Sequence, residues 1–102
     1  MVIAERKPSL IVIQLSGGND ALNTVVPYTN GIYHDSRKAI HLTEENVIDL
    51  NGTLGLNPSM GPMKRLWDAG KVAIVNGVGY PKPNRSHFRS MDIWHTAESD
   101  NI

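Results

Sequence analysis

The residues best placed to do chemistry lie in one stretch, Asn84-Arg85-Ser86-His87-Phe88-Arg89-Ser90-Met91-Asp92-Ile93-Trp94. Lys82, Arg85 and Arg89 gather around Ser86, and no acidic residue stands between Asp68 and Asp92. A helix opening near Ser86 would add its unpaired N–H groups and the positive end of its dipole to that charge. Such a place suits a small anion, with Arg85 and Arg89 as its charge partners and Ser86 and His87 as the groups able to act on it. The same residue types have an ordinary use. Asn84 and Ser86 are common helix N-caps, whose side-chain oxygens satisfy orphan N–H groups, so local pattern leaves capping and catalysis both open.

A second cluster is Ser16-Gly17-Gly18-Asn19-Asp20. Two glycines let the backbone turn sharply and approach whatever sits beside it closely. Asp20, with Asn19 next to it, is a plausible ligand for a hard cation and equally a turn cap. His87 and His95 are two helical turns apart, too far for easy chelation. His34 and His41 have no evident partner, and the absence of cysteine removes thiolate sites and disulfides alike.

These clusters need elements to position them. Ser9-Leu10-Ile11-Val12-Ile13-Gln14-Leu15 is nearly all apolar and rich in β-branched residues, which reads as a strand buried on both faces, the kind found in parallel sheets. Val72-Ala73-Ile74-Val75 reads the same way. Each run ends in a Gly-rich turn that leads to a functional cluster, so the expectation is two adjacent parallel strands whose carboxyl ends share one rim. In open α/β sheets that rim is where ligands bind. Between them, residues 21–28 fit either a short helix or extended chain, and residues 30–40 fit a short helix. Residues 47–54 fit a hairpin about Asn51-Gly52, the favoured two-residue turn. Asn57-Pro58 opens a helix with an apolar stripe of Met60, Met63, Leu66 and Trp67, and Gly70 stops it. A last helix is expected from about Ser86 to Thr96.

At 102 residues the chain holds one domain at most. Ten basic and ten acidic residues cancel, which argues against nucleic-acid binding by bulk charge and leaves a local basic run suited to a small ligand. No segment approaches the ~18 apolar residues that a membrane span requires, and the N-terminus shows no export signal.

Three motifs resemble, in order, those of the bacterial family called domain of unknown function 1501. They are Leu15-Ser16-Gly17-Gly18-Asn19-Asp20-Ala21-Leu22-Asn23-Thr24-Val25-Val26-Pro27-Tyr28, then Leu54-Gly55-Leu56-Asn57-Pro58 with the Leu66-Trp67 helix, then Asn84 through Trp94. The family looks like a branch of the alkaline-phosphatase and sulfatase superfamily. The resemblance implies an α/β fold, part of an α/β/α sandwich with parallel strands, of which residues 1–102 would be a single N-terminal portion. It implies hydrolysis of phosphate or sulfate esters with a divalent metal such as zinc, manganese, calcium or magnesium. Asp20, with Asn19, would fall at the metal position and Ser86, with His87, at the nucleophile. It also implies an exported or periplasmic bacterial protein whose further metal ligands lie C-terminal to this region. A portion of such a sheet would be inactive alone and would either self-associate through bare strand edges or be only marginally stable. The alternative reading is a non-catalytic module for anion binding or protein interaction.

Overall fold

Short side chains that bond to their own backbone decide where this chain turns, and they divide it into short elements. The computed structural model describes residues 6–98, which fall into two compact units: Asp20–Pro83, and a unit made from Met1–Asn19 with Asn84–Ile102.

The central unit is built on a three-stranded sheet. A 3-10 turn, Ala21–Asn23, leads into strand β1, Val25–Val26, and helix α1, Gly31–Ser36, follows. Strands β2, Ile48–Asp49, and β3, Gly55–Leu56, come next, and a 3-10 turn at Pro58–Met60 runs into helix α2, Gly61–Asp68. The sheet order is β1-β3-β2 and both pairings are antiparallel, with Val25 opposite Leu56 and Ile48 opposite Leu56. The strands are short because Pro27 and Pro58, just beyond their ends, have no N–H to extend a ladder. Asn57 adds one more rung by donating its N–H to the Thr24 carbonyl at 2.9 Å.

Side-chain acceptors open α1, the last helix (α3, His87–Thr96) and the 3-10 turn ahead of α2, whose own N-cap, Met60, supplies none. Asn30 takes the N–H groups of Ile32 and Tyr33 at the start of α1, and Asn57 takes that of Ser59 ahead of α2. The end of α2 is a Schellman arrangement: Gly70, at φ 71°, donates to the Trp67 carbonyl and Lys71 to that of Leu66, both at 2.9 Å. The hairpin forms, though with one residue more than a two-residue turn. Leu50 N–H meets the Leu54 carbonyl at 2.9 Å, so the loop is Asn51-Gly52-Thr53. Asn51 Oδ1 accepts from the Thr53 and Leu54 N–H groups and from Thr53 Oγ1. That side-chain chemistry sets the register, and a one-residue shift would turn every side chain of β2 to the other face.

The core is small: Val26, Tyr28 and Tyr33, with Leu42 and Val47 packed against them. Tyr28 is buried, and its hydroxyl donates to Asp49 Oδ1 at 2.6 Å while Gly52 N–H donates to the same oxygen at 2.9 Å. The Tyr28 hydrogen bond is the main reason the Asp49 carboxyl titrates below its ordinary range. The same bond, with burial second, lifts Tyr28 from 10.0 to about 12. Both signs favour the fold in mid-range. A depressed Asp49 contributes stability above the unfolded carboxyl value, lost as pH falls through the folded one; a raised Tyr28 contributes stability below pH 10, lost as pH rises through about 12. Tyr28→Phe is expected to flatten both limbs of a plot of urea midpoint against pH. Unchanged limbs would show that this pair does not set the pH dependence.

The parallel α/β/α sandwich expected from sequence is not what the chain forms: the architecture is α+β, with an all-antiparallel sheet and three helices. Residues 10–15 and 72–75 make no strand, and they belong to different units. Leu10, Ile11, Val12, Ile13 and Leu15 are each at least 70% exposed. Val72 and Ile74 instead alternate with exposed neighbours and pack beside Met60, Met63 and Trp67. The physical reason is that β-branched apolar composition reports a demand for burial without specifying the partner. A parallel strand needs neighbours on its edges and a layer on each face.

Candidate functional site

Helix α3, His87–Thr96, belongs to the unit formed by the two chain ends and begins as the sequence suggests. Ser86 is its N-cap, its Oγ accepting the Arg89 N–H at 3.4 Å. The turn before it is braced twice: Asn84 Oδ1 accepts the Ser86 N–H at 2.8 Å, and Ser90 Oγ donates to the Asn84 carbonyl at 2.7 Å. The N–H groups of His87 and Phe88 have no helical acceptor, as first-turn groups never do. At the other end Ala97 adopts φ 59° and returns its N–H to the Ile93 carbonyl at 2.7 Å. Ile93 is the helix's buried residue.

The first glycine of the Ser16-Gly17-Gly18 turn lies beside this helix start. Gly17 has φ 92°, a conformation L side chains rarely adopt, and a Cβ there would sit 3.8 Å from His87 Nδ1. Between turn and helix is a cavity of about 270 Å³, with Leu15, Ser16 and Gly17 on one side and Asn84, Arg85, His87, Ser90, Met91 and Trp94 on the other. An adjoining space of about 470 Å³ shares Ser16, Gly17, His87 and Met91 and adds Phe88 and Asp92. The helix wall therefore offers a guanidinium, an imidazole and one hydroxyl, and Ser16 brings a second hydroxyl from the facing turn. The Asp92 carboxylate keeps the second space less favourable for an anion.

Of the residues singled out from sequence, Arg85 and His87 line the first cavity, whereas Ser86 and Arg89 line neither. Ser16, Ser90 and Trp94 line it too. All three fall within the two clusters visible in the sequence, without a role assigned to them individually there. Asn19 lines neither space.

Asp20 belongs to the central unit. It caps the first 3-10 turn by accepting the Asn23 N–H at 3.4 Å, and Arg37 Nη1 lies 2.8 Å from both carboxylate oxygens. That hydrogen bond is the largest cause of its lowered pKa. A cation at Asp20 would have to displace a guanidinium. No group of three or more His, Asp or Glu side chains converges for metal binding among the described residues, so the donor set placed here does not fit a divalent ion.

His34 and His41, unassigned from sequence, are partners. Their rings meet edge to face at 4.8 Å. His34 Nε2 donates to the Tyr28 carbonyl at 2.6 Å and His41 Nδ1 to that of Arg37 at 2.9 Å. Their role is to pin the chain on either side of α1.

Fold and site together define a small α+β chain with a basic, hydroxyl-bearing cavity beside helix α3. In comparisons with protein-family models, curated proteins and solved structures, nothing matches this chain.

Proposed function

We propose that this chain binds a small oxyanion, a phosphate or sulfate group or its ester, at the start of α3, and that it recognises the anion without turning it over. The observation that carries the reading is that Arg85 and His87 line the same cavity of about 270 Å³ as the Ser16-Gly17 turn, beside the first residue of α3. Arginine suits the planar edge of such an anion, and a helix N-terminus supplies donors and dipole together. The order of motifs that resembles an ester-hydrolase superfamily agrees with the ligand class. Binding is favoured over hydrolysis because Ser86 Oγ is held as a cap outside the cavity, and because the carboxylate that would carry metal is committed to Arg37.

Titration of the 102-residue chain with sodium sulfate and sodium phosphate, followed by amide chemical shifts, is expected to move the His87 and Phe88 signals saturably. Arg85→Ala should weaken binding roughly 10-fold, the usual consequence of losing one charge-assisted hydrogen bond. Arg37→Ala, in the other unit, should not. Equal affinity in wild type and Arg85→Ala would reduce the basic run to a solvated face. Metal-dependent cleavage of an aryl phosphate or sulfate, lost in Ser86→Ala, would replace recognition by catalysis.

A further inference from the structure

Asparagine followed by glycine is especially prone to lose its side-chain ammonia, and the chain carries the pair three times, at Asn30-Gly31, Asn51-Gly52 and Asn76-Gly77. Glycine has no Cβ to obstruct its own amide nitrogen, so that nitrogen can reach the side-chain carbonyl carbon of the residue before it. All six residues are exposed and belong to the central unit, so neither the dipeptide nor access to water separates the three. Gly52 and Gly77 even share a positive φ, 84° and 69°. What separates them is how each asparagine is bonded. We infer that Asn76 is a site of spontaneous deamidation in the folded chain, and that the fold holds Asn30 and Asn51 in the amide form.

Asn30 Oδ1 accepts the Ile32 and Tyr33 N–H groups at 2.9 and 3.3 Å, and turning its Cγ toward Gly31 N would uncap α1. Asn51 is held harder. Its Oδ1 accepts two bonds from Thr53 and one from Leu54, and the Gly52 N–H that would have to ionise donates to Asp49 Oδ1 at 2.9 Å. A carboxylate in that position opposes loss of the proton, because an amide anion would form against a negative charge. Among the described residues neither the Asn76 side chain nor the Gly77 N–H has a hydrogen-bond partner. Residues 72–79 form neither helix nor strand, so no ladder or helical bond opposes the rotation that brings Gly77 N under Asn76 Cγ. Gly77 N gives its proton to hydroxide and forms the new bond to Cγ; the Cγ–Nδ2 bond breaks, and Nδ2 takes up a proton and leaves as ammonia. The resulting succinimide consumes one water. Opening at Cγ gives aspartate, and opening at the main-chain carbonyl gives isoaspartate, whose backbone is one atom longer. Either product places a negative charge just beyond Val72 and Ile74, which pack beside Met60, Met63 and Trp67.

The test keeps the full chain in mildly alkaline buffer and follows it by peptide mapping with mass spectrometry. The peptide holding Asn76 is expected to gain the mass difference between an amide and an acid. Asn30 and Asn51 should convert at least about 10-fold more slowly, because each must first give up two or more acceptor bonds. A carboxyl methyltransferase specific for isoaspartate should label residue 76 and neither of the others. Since the chain has zero formal net charge, one added carboxylate also resolves the product by isoelectric focusing, and Asn76→Ser should abolish the acidic band. In urea, where no fold discriminates, all three sites are expected to convert at comparable rates. Asn30 or Asn51 reacting as fast as Asn76 in the folded chain overturns the inference. So does an Asn76 that keeps its amide in the folded chain while the same residue reacts in urea. An equal preference for Asn76 in urea would make flanking sequence the cause in place of the fold, and would overturn it as well.

Discussion

Alanine in place of Gly55 is expected to destabilise the central unit by about 2–3 kcal/mol, the upper part of the range for forcing extra volume into a packed site. Gly55 is buried at the middle of the sheet, opposite Val26 on one side and Asp49 on the other. A Cβ added there would lie 2.5 Å from Val47 Cγ2, 2.7 Å from Val47 Cβ and 3.2 Å from the Ile48 carbonyl oxygen. Rotating Val47 could move Cγ2. It cannot move Cβ, which is fixed to the backbone, and a β-branched residue has few χ1 alternatives. Relief must therefore come from shifting the chain at Val47 and Ile48, and Ile48 is a ladder residue. The expected signature is a lower urea midpoint with an unchanged slope. Val47→Ala in the Gly55→Ala background removes the Cγ2 clash and leaves the Cβ clash, so it should restore less than half of the loss. A Gly55→Ala protein as stable as wild type would mean that β2 and β3 stand further apart than described.

What could be read from sequence and what could not divides along a physical line. Asn30, Asn57 and Ser86 cap helices and Gly70 stops one, each by bonding to backbone a few residues away, so the adjacent sequence contains both partners. The α3 start was legible for that reason, and so was the existence of the hairpin. Its register was not, because three acceptor contacts of Asn51 Oδ1 outweigh the ordinary preference of an Asn-Gly pair. The apolar runs failed for a different reason. Residues 10–15 and 72–75 announce burial, but the partner that would supply it lies far along the chain or outside it, and composition is silent about which. Residues 21–28, ambiguous between helix and strand, contain both, a 3-10 turn and then β1.

The candidate site follows the same division. The basic run and the Gly-Gly turn were visible as residue types, and the structure brings Gly17 beside His87. Asp20 was visible as a carboxylate, but its commitment to Arg37 spans 17 positions and has no local signal. The choice between cation ligand and turn cap could be made only once that partner was known.

The widest polar network in the core yields the other large effect. Tyr33 is 5% exposed, and its hydroxyl works in both directions: it donates to Asn23 Oδ1 at 2.7 Å and accepts the Leu42 N–H at 2.8 Å. Asn23 in turn donates from Nδ2 to the Ile40 carbonyl at 2.9 Å, and its own carbonyl accepts from Asn57 Nδ2 at 2.7 Å. One phenolic oxygen thus links the first 3-10 turn, α1 and the chain after it, and through Asn23 the entry to α2. Tyr33→Phe keeps the ring and its packing but strands two partners at once, Asn23 Oδ1 and the Leu42 N–H. Asn23 and Leu42 are half-buried, so each stranded group costs near the low end of the roughly 1–3 kcal/mol for a buried one, and the expected loss is about 2 kcal/mol. Amide exchange should locate it, with the Leu42 N–H losing protection before the sheet does. Asn23→Ala should be similarly costly, and the double variant should fall well short of the sum, because both changes break the same bond. A Tyr33→Phe loss under about 0.5 kcal/mol would show that water reaches the site and replaces the hydroxyl, since a satisfied group costs little to leave behind.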